Sequence, residues 1–142
     1  MSALRISTDR AELDVALIHG FLAQQSTWAR GIALDIVRRS IEHSLCFGGF
    51  IGDAQIAFAR VVSDFATFAN LVDVFVLPEQ RGHGYAKQLM RVVLDHPQLQ
   101  GLRRFTLATA DAHGLYMQFG FTALDSPERF MERFVADIYT AR

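Results

Sequence analysis

One stretch of the chain, residues 71–94, constrains the fold most, because its pattern is typical of a buried strand, a glycine-rich turn and an amphipathic helix in succession. Residues 71–77 are apolar and rich in Val and Phe, which predicts a strand near the middle of a sheet. Pro78 should end it, because proline cannot donate a hydrogen bond to a neighbouring strand. Apolar residues then recur at intervals of three and four, which predicts one buried helical face: Ala86, Leu89, Met90, Val93 and Leu94.

Gly82 and Gly84 lie where this strand becomes the helix. Without a Cβ they allow the backbone to turn sharply and a ligand to come close. The unpaired amides of the first helical turn then face outward at the positive end of the helix dipole. The turn therefore predicts a phosphate site built from backbone groups.

Three nucleotide-binding motifs begin with a turn of this kind, and the residues that follow distinguish them. A dinucleotide-binding fingerprint places a third small residue where this chain has Lys87, and an acid about 20 residues further on, where it has Arg103 and Arg104. A Walker A loop places Ser or Thr directly after its lysine, whereas Gln88 follows here. A nucleotide-binding domain with a parallel sheet is therefore disfavoured.

The remaining pattern, R-x-x-G-x-A at residues 81–86, resembles motif A of the GNAT N-acetyltransferases, which holds the pyrophosphate of acetyl-CoA. A second pattern, L-Y-x-x-x-G-F at residues 115–121, resembles motif B of the same superfamily. The two motifs occur in the family's order, with one predicted strand between them. The resemblance covers nearly the whole chain and is strongest over residues 71–122.

Hydrophobic periodicity predicts an order of elements that matches the GNAT fold. The resemblance implies an α+β fold, an α/β/α sandwich with about four helices and a mixed, mostly antiparallel sheet of about six to seven strands, splayed at the central strand. The predicted strands are residues 4–7, 45–51, 55–62, 71–77, 105–109, 121–122 and 129–134. The predicted helices are residues 10–24, 32–41, the central helix ending before Pro97, and 111–119.

Composition narrows the class of protein. The 142 residues suit one domain, residues 1–142, and a formal net charge of -1 gives no bulk electrostatic reason to expect nucleic acid or an anionic membrane surface as partner. Cys46 is the only cysteine, and there is no long apolar run, so we expect a cytoplasmic protein that does not enter a membrane. The five histidines show no metal-ligand spacing, and we expect no metal. A homodimer is left open.

The resemblance implies an acetyl-CoA site that extends from the glycine-rich loop to the central strand. In the family, backbone amides of the loop contact the diphosphate, and the splayed strand pairs with the pantetheine arm. Many members carry Asn where this chain has Thr109, which can still donate a hydrogen bond over a shorter reach. The residues implied in cofactor binding are Phe75, Val76, Leu77, Arg81, Gly82, His83, Gly84, Tyr85, Ala86, Lys87 and Thr109.

Acetyl transfer needs a hydrogen-bond donor to the leaving thiolate and a means of removing a proton from the amine. Tyr116 matches the family tyrosine that protonates or hydrogen-bonds the thiolate, with a core anchor as the alternative. Asp73, in the central strand, is the candidate base ahead of Asp64, and a structural salt bridge is the equal alternative. Trp28 and Arg30 lie in the segment that borders the acceptor site in the family, and they could equally cap the core.

The resemblance thus implies an enzyme that moves the acetyl group of acetyl-CoA to an amine, either a small molecule or a protein amine. The amine would attack the thioester directly, because no placed nucleophile for an acyl-enzyme is visible. The competing hypothesis is a non-catalytic module with a GNAT-like fold that binds CoA or docks a protein partner.

Overall fold

The computed structural model describes residues 3–140, which contain five strands and four α-helices. The strands are β1 (Arg5–Ser7), β2 (Leu45–Ile51), β3 (Ala54–Ser63), β4 (Phe68–Val76) and β5 (Arg104–Leu107). The helices are α1 (Val15–Gly20), α2 (Leu34–Glu42), α3 (Tyr85–Asp95) and α4 (His113–Met117). The sheet has the order β1-β2-β3-β4-β5 and is antiparallel except for the parallel pair β4–β5. The predicted α+β class and the mixed, mostly antiparallel sheet are confirmed.

Two apolar clusters show that helices cover both faces of the sheet. The first cluster contains Ile18 of α1 and Val37 of α2 packed with Phe58 of β3. The second contains Leu89 of α3 packed with Ala57, the preceding residue of β3. Because successive residues of a strand point to opposite faces, β3 separates an α1–α2 layer from a layer formed by α3 and α4. This is the predicted α/β/α arrangement.

The helix predicted at residues 10–24 is divided into separate segments. Arg10–Glu12 is a single 3-10 turn, and Phe21–Gln25 is a π-helical turn that continues α1. Asp9 and Asp14 each accept a hydrogen bond from an amide of the turn that follows, at 2.9 and 3.0 Å. Since a capping residue has non-helical backbone angles, two caps in this short segment interrupt the helix.

The closing strands predicted at residues 121–122 and 129–134 are absent from the described chain, so the sheet has five strands rather than six or seven. The amide of Phe121 bonds to the carbonyl oxygen of Tyr116 at 3.2 Å, in a helix cap that contains Gly120 with a φ of 89°. Pro127–Arg129 forms a 3-10 turn, and every residue from 127 to 138 is exposed. A strand needs a neighbouring edge, and residues 127–138 pair with no strand of the described chain.

Smaller differences concern the boundaries of elements that were correctly predicted. β4 begins at Phe68, three residues before the predicted strand, and β5 ends at Leu107, which leaves Thr109 in the following loop. The hairpin between β2 and β3 is confirmed, with Gly52 in its turn at a φ of 60°. No helix between residues 3 and 140 is long and apolar enough to cross a membrane.

Candidate active site

A parting of β4 from β5 opens a cleft in the sheet. The two strands pair from Phe68 with Arg104 to Leu71 with Leu107, where β5 ends while β4 continues to Val76. Beyond Leu71, β4 therefore has no partner on that side in the described chain. The backbone groups of an unpaired edge can pair with an extended ligand as they would with another strand.

The cleft begins at a β-bulge in β4. Between the pairs Val72–Arg60 and Phe75–Phe58, two residues of β4 lie opposite a single residue of β3. The first of the two, Asp73, has a φ of 57°, which is uncommon for any residue other than glycine. A bulge bends its strand and increases the local twist, which separates β4 from β5 at this point. The splay expected at the central strand is confirmed.

The glycine-rich loop lies just beyond the end of β4. The Nε atom of Arg81 donates to the carbonyl oxygen of Val76 at 3.0 Å, which ties the loop to the strand. Gly82 and Gly84 have φ values of 86° and 77°, and a Cβ at either position would meet no atom within 4 Å. The amides of residues 85–87, the first turn of α3, have no acceptor within the helix. Open space beside unpaired amides at a helix start fits a diphosphate.

The three strand residues implied in pantetheine binding differ in how much of their backbone is free. The amide of Leu77 donates to the carbonyl oxygen of Ile56 at 2.9 Å, and the carbonyl of Val76 accepts from Arg81. Phe75 stacks on Phe21 of the α1–α2 layer, with ring centroids 4.0 Å apart. The backbone groups that are free to bind a ligand therefore lie on β4 between the Asp73 bulge and Val76. This segment begins before the predicted one, which consists of Phe75, Val76 and Leu77.

The chain that leaves β5 supplies Thr109 and Tyr116. The hydroxyl of Thr109 accepts a hydrogen bond from the amide of Ala112 at 3.0 Å, which orders the turn into α4. Tyr116 is buried, and its ring meets that of Phe121 at 75° with centroids 6.0 Å apart. The ordinary pKa of a tyrosine phenol already lies well above neutral pH, and burial raises the pKa of Tyr116 further, so the hydroxyl is protonated and can donate.

A hydrogen-bonded cluster forms around the bulge. The carboxylate of Asp73 accepts from Nε1 of Trp28 at 2.8 Å and forms an ion pair with Nε of Arg60 at 2.9 Å. The two side chains of the ion pair are 8% and 16% exposed. Arg60 also donates to the hydroxyl of Ser44 at 3.1 Å. The salt bridge considered for Asp73 is therefore present, and Trp28 is held by its indole N–H with half of its surface exposed.

The match to a family model decides which family this arrangement belongs to. The model of the acetyltransferase (GNAT) family matches residues 15–121, which include the bulge, the glycine-rich loop and Tyr116. The chain belongs to the GNAT acetyltransferase family. A Gibberella zeae protein with a provisional acetyltransferase name is 29% identical, in an alignment that covers 78% of this chain and 74% of that protein.

Solved structures show the same fold. A GNAT-family protein from Xanthomonas campestris pv. campestris is 57% identical and superposes with a TM-score of 0.97 over 99% of both chains. A protein from Clostridium acetobutylicum, solved with acetyl-CoA, is 16% identical, with a TM-score of 0.67 over 94% of this chain and 96% of that one. At that identity, the second likeness concerns the fold alone.

Within this GNAT chain, the two catalytic candidates lie on opposite faces of the sheet. Tyr116 packs in the cluster of the α3–α4 layer, whereas Asp73 bonds to Trp28, whose ring contacts the α1–α2 layer. Arg30 is exposed and donates to the carbonyl oxygen of Gln24 at 3.2 Å. His83 and Lys87 are exposed in the loop and first turn of α3.

The structure adds a polar residue that the sequence analysis did not consider. Arg60 binds Asp73, and its charge within the apolar strand β3 was the signal that could have revealed it. Within residues 3–140, no group of three His, Cys, Asp or Glu side chains could hold a metal ion.

Proposed function

We propose that this protein, as a single domain, transfers the acetyl group of acetyl-CoA to an amine by direct attack in a ternary complex. The observation that carries the proposal is the parting of β4 from β5 at the Asp73 bulge, with the glycine-rich loop at the end of the same strand. The acetyl-CoA in the Clostridium acetobutylicum protein of the same fold supports the choice of cosubstrate.

The diphosphate of acetyl-CoA would bind at the start of α3. Gly82 and Gly84 leave room above the loop, and the amides of residues 85–87 point their unpaired N–H groups toward an anion. The pantetheine arm would extend the sheet along the free edge of β4 between Asp73 and Val76. Amides on this edge can then hydrogen-bond the acetyl carbonyl oxygen as it gains negative charge.

Tyr116 would assist departure of the thiolate. The amine lone pair forms the C–N bond as the C–S bond breaks, and the electron pair of that bond leaves on sulfur. A tyrosine phenol is protonated at neutral pH even at its ordinary pKa, and burial raises the pKa of Tyr116 further, so its hydroxyl can donate a hydrogen bond to the developing thiolate. The amine loses its extra proton to water or to a base, and the thiolate gains one.

Asp73 enters this proposal as a positioning residue. Each oxygen of its carboxylate already accepts a hydrogen bond, one from Trp28 and one from Arg60. The carboxylate thus fixes the indole ring next to the bulge, where its exposed half can contact an acceptor. Arg30 lies two residues further along the same loop, as the second acceptor candidate. The general-base role predicted for Asp73 is the alternative, and the pH dependence of kcat distinguishes the two roles.

Calorimetry with acetyl-CoA and a thiol-release screen over many amines test the proposal. We expect binding, and about 2.7 kcal/mol of added stability at a free ligand concentration of about 100 times Kd. Gly84→Asp should abolish binding by placing a negative charge beside the diphosphate. Gly101→Asp is the matched control, since Gly101 also has a positive φ of 72° and open space around it but lies after α3.

Each outcome discriminates between hypotheses. Absence of binding at millimolar CoA would refute the acetyltransferase proposal. Binding without acetyl transfer to any amine of a broad panel would support the non-catalytic module. Equal binding by the Gly84→Asp and wild-type proteins, with native circular dichroism, would show that the diphosphate lies elsewhere.

A further inference from the structure

A groove follows the free edge of β5, the last strand of the sheet. Residues 103–109 line one wall and residues 119–125 line the other, with Tyr116 and Met117 of α4 between them, and the volume is about 950 Å³. A residue in a sheet occupies about 160 Å³, given roughly 3.3 Å along the strand, 4.8 Å between strands and 10 Å between packed layers. The groove therefore has room for about six residues of extended chain.

The segment that would be expected to fill such a groove lies in solvent. We call residues 130–138 the C-terminal arm. Within it Met131 is 98% exposed, Phe134 73% and Val135 57%. A contiguous set of exposed apolar side chains marks an interaction surface, whereas a single one does not. In an extended chain Phe130 and Phe134 share one face with Glu132, and Met131 and Val135 share the other face with Arg133, so each face offers two apolar side chains to a partner.

The arm is held near its two ends by its own subunit. The guanidinium carbon of Arg104 lies 4.7 Å from the ring centroid of Phe130. At the other end Tyr139 packs against the α1–α2 layer, where a Cβ on Gly31 would lie 2.7 Å from the carbonyl oxygen of Tyr139. An arm stretched between these points leaves the groove of its own chain open.

A relative of known structure follows the same path. The Xanthomonas campestris superposition, with its TM-score of 0.97, includes nearly the whole chain. The exposed stretch, residues 127–138, is close to a tenth of the chain, so a different course for it would not allow that score. The backbone course that carries the arm away from the groove therefore recurs in a homologous chain.

We propose that a second copy of this chain fills the groove, with residues 130–135 of each subunit adding as a strand to the outer edge of β5 in the other. Each copy offers the same groove and the same arm, so one two-fold axis satisfies both. The exchange covers the unpaired edge of β5 and buries apolar side chains that one chain leaves in water. It also supplies the closing strand that the sequence of residues 129–134 predicts.

The exchanged strand would complete the active-site layer. Thr109 and Tyr116 line the groove, so the partner's arm would lie beside α4 and support the position of the phenol. The inference rests on the groove and the arm and does not depend on acetyl transfer, so a failure of one proposal leaves the other standing.

Sedimentation equilibrium of the full chain at micromolar concentration provides the test. We expect twice the chain mass of 15.9 kDa for the wild-type protein. Met131→Glu and Phe134→Glu should each give the single-chain mass, because a charge would replace an apolar side chain that the exchange buries. Both residues are exposed in one chain, so the changes should leave its fold intact. Val92→Glu is the control, an exposed apolar residue on α3, and it should keep the wild-type mass.

Hydrogen exchange separates strand addition from association through another surface. We expect amides of residues 130–135 to exchange slowly in the wild-type protein and to lose most of that protection in Met131→Glu. A wild-type protein of single-chain mass would overturn the proposal, as would a Met131→Glu protein that stays dimeric. A dimer in which residues 130–135 exchange as fast as in the variant would also overturn it, since the arm would then be unpaired.

Discussion

The ion pair between Asp73 and Arg60 allows a quantitative prediction for one substitution, Asp73→Asn. Asparagine tolerates the positive φ of 57° at this position, and its Oδ1 can still accept from Nε1 of Trp28. Its amide group, however, replaces the oxygen that accepts from Nε of Arg60, which leaves a guanidinium that is 16% exposed without its counter-charge.

Breaking a buried ion pair costs about 3–5 kcal/mol when one charge remains unpaired. Arg60 keeps its hydrogen bond to Ser44 and some contact with water, so we expect the low end, about 3 kcal/mol. The double variant Asp73→Asn, Arg60→Met leaves no unpaired charge. Its loss of stability should be smaller than the sum of the two single losses by at least about 1 kcal/mol.

Urea unfolding at neutral pH measures the stability of Asp73→Asn, Arg60→Met and the double variant beside that of the wild-type protein. Trp28 is the only tryptophan, so its emission reports directly on the indole that Asp73 holds. The spectrum should be preserved in Asp73→Asn and shifted to longer wavelength in Asp73→Ala. An Asp73→Asn protein within about 0.5 kcal/mol of wild type would refute the reasoning, because changes of that size are typical of surface positions without partners.

The same variant distinguishes positioning from base catalysis. If Asp73 acts through Trp28, Asp73→Asn should keep most of kcat and the wild-type pH profile, since the bond to the indole persists. If Asp73 is the base, kcat should fall at every pH and the acidic limb of the profile should disappear. Loss of the acidic limb would support the role of general base that the sequence predicts for Asp73.

Three further predictions follow from burial and from space in the structure. Tyr116→Phe should lower kcat and kcat/KM together by about 10²-fold and keep the affinity for acetyl-CoA. If the rate of the chemical step in single-turnover mixing is unchanged, Tyr116 only anchors α4 in the core. Burial raises the pKa of Cys46 to about 11 from an ordinary value near 9, so the native state keeps a proton that the unfolded state loses. The free energy of unfolding should therefore fall as pH rises from about 9 toward 11, and it should fall less in Cys46→Ala. Equal dependence of the unfolding free energy on pH in the variant and the wild type would contradict this. Gly49→Ala should lower the free energy of unfolding by about 1–3 kcal/mol in thermal unfolding, because the new Cβ would lie 2.9 Å from that of Ala57. Gly20→Ala, where a Cβ would meet no atom within 4 Å, should raise it by up to about 1 kcal/mol. Similar effects at both sites would refute the packing argument.

The sequence determined those features that depend on near neighbours in the chain. The strand–turn–helix at residues 71–94 follows from local periodicity, the missing donor of Pro78 and the backbone freedom of Gly82 and Gly84. The positive φ angles at both glycines and the helix start at Tyr85 confirm this reasoning. The family motifs are equally local, which is why the resemblance could be stated from the sequence.

Only the tertiary structure decided what depends on residues far apart in the chain. Asp73 could have faced either side of the sheet, and the bulge together with Trp28, 45 residues away, and Arg60 on the neighbouring strand fixed its direction. Residues 129–134 carry the pattern of a strand, yet they do not form one in a single chain. The local sequence indicates that a segment can adopt the extended conformation of a strand, but pairing requires an edge within reach, and where that edge lies depends on how the rest of the chain folds.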